Sequence, residues 1–253
     1  MENISLSKGK KVYFFSDCHL GVPDYDNSRQ REAKIVKWLD SIKNDAQVIF
    51  LMGDIFDFWV EYKYVVPKGY TRLFGMLSSL SDMGIELKYF TGNHDLWIKD
   101  YFIKEIGMKL YKTAELFTIN NKKFYLGHGD GIGKGDYGYK FLKSMFHCNI
   151  NQFFFRMLHP YLALKLGNFL SETSKEYKSD DIVYNKKENE RMQAFIQEQL
   201  KTASIDYFIF GHRHLPQDIR IENSRHIHTG DWLKHFSYVT FDGNDLKLDT
   251  FTE

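Results

Sequence analysis

Cysteine is scarce: Cys18 and Cys148 are the only two in 253 residues, too few for a disulfide framework, and this usage suits a reducing compartment such as the cytoplasm. An excess of one charge is also missing. The 34 Lys and Arg are balanced by 33 Asp and Glu, for a formal net charge of +1. A dedicated nucleic-acid surface usually shows a clear basic excess, so no nucleic-acid partner is expected, although a nucleotide-containing small molecule stays open. There is no run of about 18 apolar residues from which to build a membrane span, and Met1 to Lys11 is polar, without a stretch of signal-peptide length. What the chain has in quantity is aromatic side chains, 22 Phe and 16 Tyr, many of them between Tyr137 and Phe169. The length fits one core domain with a sizeable insertion.

Lys11 to Ser16 and Gln47 to Met52 are short β-branched and aromatic runs that read as buried strands. Between them Ala33, Val36, Trp38, Leu39 and Ile42 stand near helical spacing, predicting a strand–helix–strand unit. Tyr70 to Met83 and Ile85 to Phe90 repeat the pattern, and Leu116 to Ile119 and Lys123 to Leu126 flank a turn at Asn120-Asn121-Lys122 that reads as a hairpin. From Asp136 to about Thr202 strand signals stop and the chain reads as helical. Strands resume at Tyr207 to Phe210 and continue through Asp218 to Ile221, Arg225 to His228, Ser237 to Phe241 and Leu246 to Phe251.

Candidate metal ligands recur where predicted strands end: Asp17-Cys18-His19, Gly53-Asp54-Ile55-Phe56-Asp57, Gly92-Asn93-His94-Asp95, Gly127-His128-Gly129-Asp130 and Gly211-His212-Arg213-His214. Loops at the carboxyl ends of strands in an open sheet converge on one site. Any one of these segments alone is more often a capped or hydrogen-bonded structural residue; five in register are not. Carboxylate, imidazole and amide donors suit Mn²⁺, Fe²⁺, Zn²⁺ or Mg²⁺, and without a thiolate pair a structural zinc site is not expected. Seven such ligands are too many for one ion and suit two, bridged by a carboxylate, an arrangement that clamps the attacking and leaving oxygens of a phosphoryl displacement. Asp95 and Asp130 read equally as support for a ligand or as turn residues. His147, His159, His226, His228 and His235 lie outside the blocks and read as surface or strand residues, and Cys18 as core.

In this order the five blocks resemble the D-x-H, G-D-x-x-D, G-N-H-D/E, G-H and G-H-x-H signature of the calcineurin-like metallophosphoesterases. The resemblance implies that Asp17, His19 and His214 hold one ion, that Asn93, His128 and His212 hold the other, and that Asp54 bridges them. It also implies that His94 is the catalytic imidazole, with Asp57 orienting it. The fold so implied is α/β (α+β): a four-layer α-β-β-α sandwich, with residues 1–135 and 203–253 as core and the helical insertion 136–202 as a lid.

Gly53-Asp54-Ile55-Phe56-Asp57-Phe58-Trp59 further resembles the G-D-x-F-D-x-W form of the UDP-2,3-diacylglucosamine diphosphatases of lipid A synthesis, whose substrate is a nucleotide-linked lipid. That resemblance implies two divalent ions, Mn²⁺ foremost, and substrate contacts at Asn93, His94, Asp136 and His212. It further implies cytoplasmic residence with peripheral contact at the inner membrane surface. Taken alone, Phe56 and Trp59 read as packing residues, and so do most insertion aromatics, with a subset left to line an acyl-chain groove. Many members of that subfamily carry arginine where this chain has His94. A phosphomonoesterase, a cyclic-nucleotide phosphodiesterase or a phosphoprotein phosphatase on the same scaffold therefore stays open as an alternative. So, at lower weight, does a non-catalytic binding module, which should have lost ligands.

Overall fold

The computed structural model describes residues 1–133, 135, 137–167 and 182–252; Asp136 and Phe169 fall outside them. In chain order the elements are β1 (Glu2–Ile4), β2 (Lys11–Phe15), α1 (Tyr25–Ile42), β3 (Ala46–Leu51), α2 (Thr71–Asp82) and β4 (Glu86–Phe90). A π-helical turn at Phe102–Ile106, β5 (Lys109–Tyr111), β6 (Glu115–Ile119), β7 (Lys122–Gly127), α3 (Tyr137–His147) and α4 (Asn149–Met157) follow. Residues 160–167 form a further helix, α5. The chain closes with α6 (Ile182–Leu200), β8 (Tyr207–Phe210), β9 (Gln217–Ile221), β10 (Ser224–His228), β11 (Ser237–Phe241) and β12 (Leu246–Thr250).

Two six-stranded mixed sheets result, ordered β12-β11-β2-β3-β4-β5 and β1-β6-β7-β8-β10-β9. The period-2 alternation of strand side chains decides what each face packs against. Val12, Phe14, Val48 and Phe50 of the first sheet meet Phe117, Phe124, Leu126 and Ile209 of the second in one inter-sheet core. Phe14 stacks on Phe50 at 5.0 Å between ring centroids. The intervening Tyr13, Phe15, Ile49 and Leu51 point the other way, into a cluster with Ile35, Trp38, Leu39, Leu73 and Leu77 of α1 and α2. On the outer face of the second sheet, Phe208 and Phe210 pack against Met192 and Ile196 of α6. The layer order is therefore α-β-β-α. Its fourth layer comes from within the 136–202 stretch.

Helix α1 buries Trp38, Leu39 and Ile42 as its apolar spacing predicts, and its inward face also takes in residues that the spacing does not mark. Ser28, Glu32, Ile35, Trp38, Leu39 and Ile42 are its buried residues, while Ala33 and Val36 are half-buried flanks. Glu32 is drawn in because its carboxylate accepts from the backbone N–H groups of Arg72 (2.9 Å) and Leu73 (3.0 Å), capping α2. The short strands β1 and β5 have no sequence signal of their own and form as additions to β6 and β4.

Helices α3 and α4 are fastened to the core beside the loops that carry the candidate ligands. Trp97 Nε1 and Gln152 Nε2 both donate to the Phe146 carbonyl at 2.9 Å, and Arg156 Nε donates to the Glu61 carbonyl at 2.9 Å. Trp97 and Phe155 meet edge-on at 4.4 Å. No helix among the described residues is long and apolar enough to cross a membrane.

Candidate metal centre

All five ligand-bearing segments leave the ends of β2, β3, β4, β7 and β8, and the two sheets bring these ends together. Asp17, His19, Asp54, His212 and His214 each have positive φ, between 41° and 70°. A non-glycine residue accepts that conformation only where its surroundings impose it, and such residues cluster at functional sites. The glycines serve closeness as much as turning. A Cβ on Gly92 would lie 2.1 Å from Asp54 Oδ1, and one on Gly211 would lie 2.6 Å from Asp17 Oδ2.

Three groups have donor atoms within 4.8 Å of one another: Asp17 with His19 and His214, Asp54 with His128 and His212, and His19 with Asp54 and His94; the first two match the expected ligand sets. His19 Nε2 is 3.0 Å from His214 Nε2, which is 3.3 Å from Asp17 Oδ1. Asp54 Oδ2 lies between the sets, 3.1 Å from His128 Nε2 and 3.9 Å from His19 Nε2. Asp17, His19, Asp54 and His128 are buried and form the floor; Asn93, His94, His212 and His214 are half-buried and form the rim.

The far side of these groups is held, and the near side is not. Asp17 Oδ2 accepts from the His212 N–H at 2.9 Å and from Ser16 Oγ, which in turn meets Thr229 Oγ1 at 2.6 Å. Asp54 Oδ1 accepts from the His94 N–H at 2.9 Å. His19 Nδ1 faces Asp57 Oδ1 at 3.0 Å, and His128 Nδ1 donates to the Met52 carbonyl at 2.9 Å. Meanwhile Asp17 Oδ1 and His128 Nε2 meet other candidate ligands, His214 and Asp54, and Asn93 Oδ1 is buried without a hydrogen-bond partner. Buried polar atoms are normally paired. Imidazoles anchored at one nitrogen with the other turned to a common point are the usual arrangement around a metal ion. The residues present therefore fit two divalent ions.

The electrostatics agree. Burial opposes charge on His19, yet the Asp17 and Asp57 carboxylates override it and raise its pKa to about 9. At His128 the same burial is overridden by Asp54, and the value rises to about 10. Burial also works against ionisation of Asp17 and Asp54, and the facing histidines nevertheless hold both well below the usual carboxylate range. Without ions, protons on the imidazoles supply the positive charge this pocket demands.

His94 lies over the floor, its ring 4.7 Å from that of His19. Asp57 orients it through the main chain: the Asp57 carbonyl is 2.8 Å from His94 Nδ1, while the carboxylate stands 3.9 Å away and engages His19. One residue so positions two imidazoles, where its sequence block predicted one. Burial lowers the His94 pKa.

Asp95 and Asp130 are both supports. The Asp95 carboxylate accepts from the N–H groups of Gly92 (2.7 Å) and Ile55 (2.9 Å) and from the Tyr89 hydroxyl (2.5 Å), locking the Asn93 loop to the Asp54 loop. Burial and the nearby Asp54 charge raise its pKa to about 6. Asp130 pairs with Lys143 at 2.6 Å and accepts from Tyr139 at 2.8 Å, tying α3 to the His128 loop. Cys18 is buried in the core. His226 and His228, read as surface or strand residues, are buried residues of β10. His228 Nδ1 donates to the Gly211 carbonyl at 3.1 Å, behind the His212 loop. Ser16 and Thr229 stand behind Asp17, and no motif marks them in the sequence.

Residues 10–216 match the model of the calcineurin-like phosphoesterases. The chain is 33% identical to a UDP-2,3-diacylglucosamine hydrolase of Porphyromonas gingivalis, over 96% of this chain and 98% of the relative. It is 27% identical to the protein of the same name from Haemophilus influenzae, over 95% of each, and 28% identical to one from Neisseria meningitidis, over 91% of this chain and 93% of that one. Among solved structures, an archaeal phosphodiesterase superposes with a TM-score of 0.50 at 12% identity, over 95% of this chain and 99% of that one, and so shares the fold. With the ligand geometry, the layer order and the family match in agreement, this chain belongs to the calcineurin-like phosphoesterase family.

Proposed function

We propose that this protein hydrolyses the pyrophosphate of UDP-2,3-diacylglucosamine, giving UMP and 2,3-diacylglucosamine 1-phosphate, with two divalent ions, Mn²⁺ foremost. The observation that carries the reading is a complete set of seven ligand-type side chains set beside an insertion with an apolar outer surface. Phe141, Phe153, Phe154, Met157, Tyr161 and Leu162 of α3, α4 and α5 are all more than half exposed. An exposed apolar surface of this kind marks a site for lipid, membrane or protein contact. The named activity of relatives aligned over nearly the whole chain supports the same substrate.

In this reading Asp17, His19 and His214 hold one ion; Asn93, His128 and His212 hold the other; and Asp54 lies between. When bound, the ions acidify a water and neutralise phosphoryl charge. Asp57 keeps His19 and His94 in place through its carboxylate and carbonyl respectively. With Nδ1 committed to that carbonyl, Nε2 is the His94 nitrogen that meets a phosphoryl oxygen. It does so as the imidazolium, the form that the charge of a bound phosphoryl group favours against the burial that lowers its pKa; Nε2–H then hydrogen-bonds the developing charge and passes its proton to the leaving oxygen. Asn93 and His212 contact the same phosphoryl group from the rim; the expected substrate contact at Asp136 lies outside the described residues. The apolar insertion acts as a lid over the acyl chains and brings the protein to the cytoplasmic face of the inner membrane.

His94 is the observation that favours a second reading, a phosphomonoesterase, phosphodiesterase or phosphoprotein phosphatase acting on soluble esters, because an imidazole suits poor leaving groups that need a proton. Product analysis separates the two. Mn²⁺-loaded protein should release UMP from UDP-2,3-diacylglucosamine far faster than it cleaves a small phosphodiester, and in ¹⁸O-water the label should enter UMP. Hydrolysis of the small ester without UMP would leave the scaffold chemistry intact and remove the lipid substrate.

A further inference from the structure

The loop that carries Asp17 and His19 is pinned from two sides. Its N–H groups go to the neighbouring loop: Asp17 N–H donates to the Gly53 carbonyl, His19 N–H to that of Asp54 and Leu20 N–H to that of Ile55, each at 3.0 Å. Three carbonyls of this stretch go to one side chain. Arg31, reaching out of α1, donates from Nη1 to the carbonyls of Cys18 (3.0 Å) and His19 (2.7 Å), and from Nη2 to that of Val22 (3.0 Å). Asp17 and His19, the ligands this loop delivers, both hold positive φ, 54° and 41°.

We propose that Arg31 is a positioning residue for one ion of the pair, the one held by Asp17, His19 and His214. The inference rests on the reading of these residues as ion ligands. A left-handed backbone at His19 persists only while something over-determines it, and a rigid guanidinium fork satisfying three carbonyls at once does so. With Asp57 fixing the imidazole at Nδ1 and Arg31 fixing the backbone that carries it, His19 Nε2 has a defined place before any ion arrives. The second set is carried by loops at Asn93, His128 and His212, to which Arg31 makes no hydrogen bond among the described residues. Its hydrogen bonds therefore act directly on one set and reach the other only through Asp54 and His212, which are bonded to this loop, so the larger loss should fall on the first ion.

The test is calorimetric Mn²⁺ titration with elemental analysis, on wild type, Arg31→Met and Arg31→Lys, with thermal unfolding of each metal-free protein alongside. Wild type should take up two ions. Arg31→Met should weaken one binding event about 10- to 100-fold, the range for losing a support behind a metal ligand, and leave the other in place. The loss should fall on kcat more than on KM. Arg31→Lys retains charge but cannot span three carbonyls, so it should show the same one-sided loss in smaller measure, and it keeps the test open if the methionine variant does not fold. A folded variant that weakens both ions equally, or neither, overturns the proposal. A wild type that binds no ion would instead overturn the metal reading beneath it.

Discussion

The Nε2 atoms of His19 and His214 lie 3.0 Å apart, with Asp17 Oδ1 3.3 Å from the second. Two imidazole nitrogens and a carboxylate oxygen aimed at one point need positive charge, supplied by a proton or by a metal ion. Since the His19 and His128 values are raised to about 9 and about 10 by the facing carboxylates despite burial, both rings carry extra protons at neutral pH in the ion-free protein. Ion binding must displace them. Titrations at pH 7.5 in two buffers of different ionisation enthalpy should therefore report net proton release, and apparent affinity should fall as pH falls. Binding with no proton exchange would contradict this.

The same shifts fix how ion-free stability depends on pH. A histidine with a folded-state pKa above its unfolded value of about 6.5 contributes stability that is complete below that value and is lost as pH rises through the folded value. The urea midpoint of metal-free protein should thus decline between about pH 6.5 and pH 10, whereas ion-loaded protein, no longer dependent on those protons, should decline less. A flat ion-free profile would show that the histidines are not so paired.

His94→Ala should reduce kcat by about 10²- to 10⁴-fold, the usual contribution of a positioned acid–base group, with wild-type ion content. His94→Arg should keep far more activity on the diphosphate than on an ester with a poor leaving group. A pyrophosphate leaves as a stabilised anion and needs charge stabilisation more than a proton. Equal losses on both substrates would contradict this division.

On the insertion, Phe153→Ser with Phe154→Ser should lower turnover of the lipid substrate in vesicles and leave hydrolysis of a small phosphodiester unchanged. Both residues are exposed on α4. A parallel loss on the two substrates would place these side chains in folding rather than in lipid contact.

Trp38 sits fully buried in a ring of aromatics, 4.9 Å from Phe15 and 5.0 Å from both Trp232 and Tyr238. Trp38→Ala should cost about 3–5 kcal/mol of stability, read from urea unfolding. A cost below about 1 kcal/mol, the scale of a surface change, would mean that α1 is not packed as described.

The chemistry was legible in the sequence because it is discrete. A ligand needs one residue type at one place, and the strand ends before Asp17, Asp54, Asn93, His128 and His212 announce themselves by apolar runs. The supports were not legible because many residue types can supply a donor to a carbonyl or carboxylate. Arg31 reads as one more charge on a helix, and Ser16 and Thr229 meet although they stand 213 positions apart in the chain. Asp57 serves His19 by its carboxylate and His94 by its backbone carbonyl, a division that the block containing it does not encode. Strand β1 has three residues and reads as polar; tertiary pairing with β6 makes it a strand. The inward face of α1 extends beyond its apolar spacing because Glu32 is buried for its bonds to α2 rather than for hydrophobicity.

The most direct test of a paired-ion centre is electron paramagnetic resonance of the protein titrated with Mn²⁺. Two ions sharing Asp54 should give an exchange-coupled spectrum that grows in as the second equivalent binds and vanishes in Asp54→Asn. A spectrum showing only isolated Mn²⁺ at two equivalents, or saturation at one, would contradict the account.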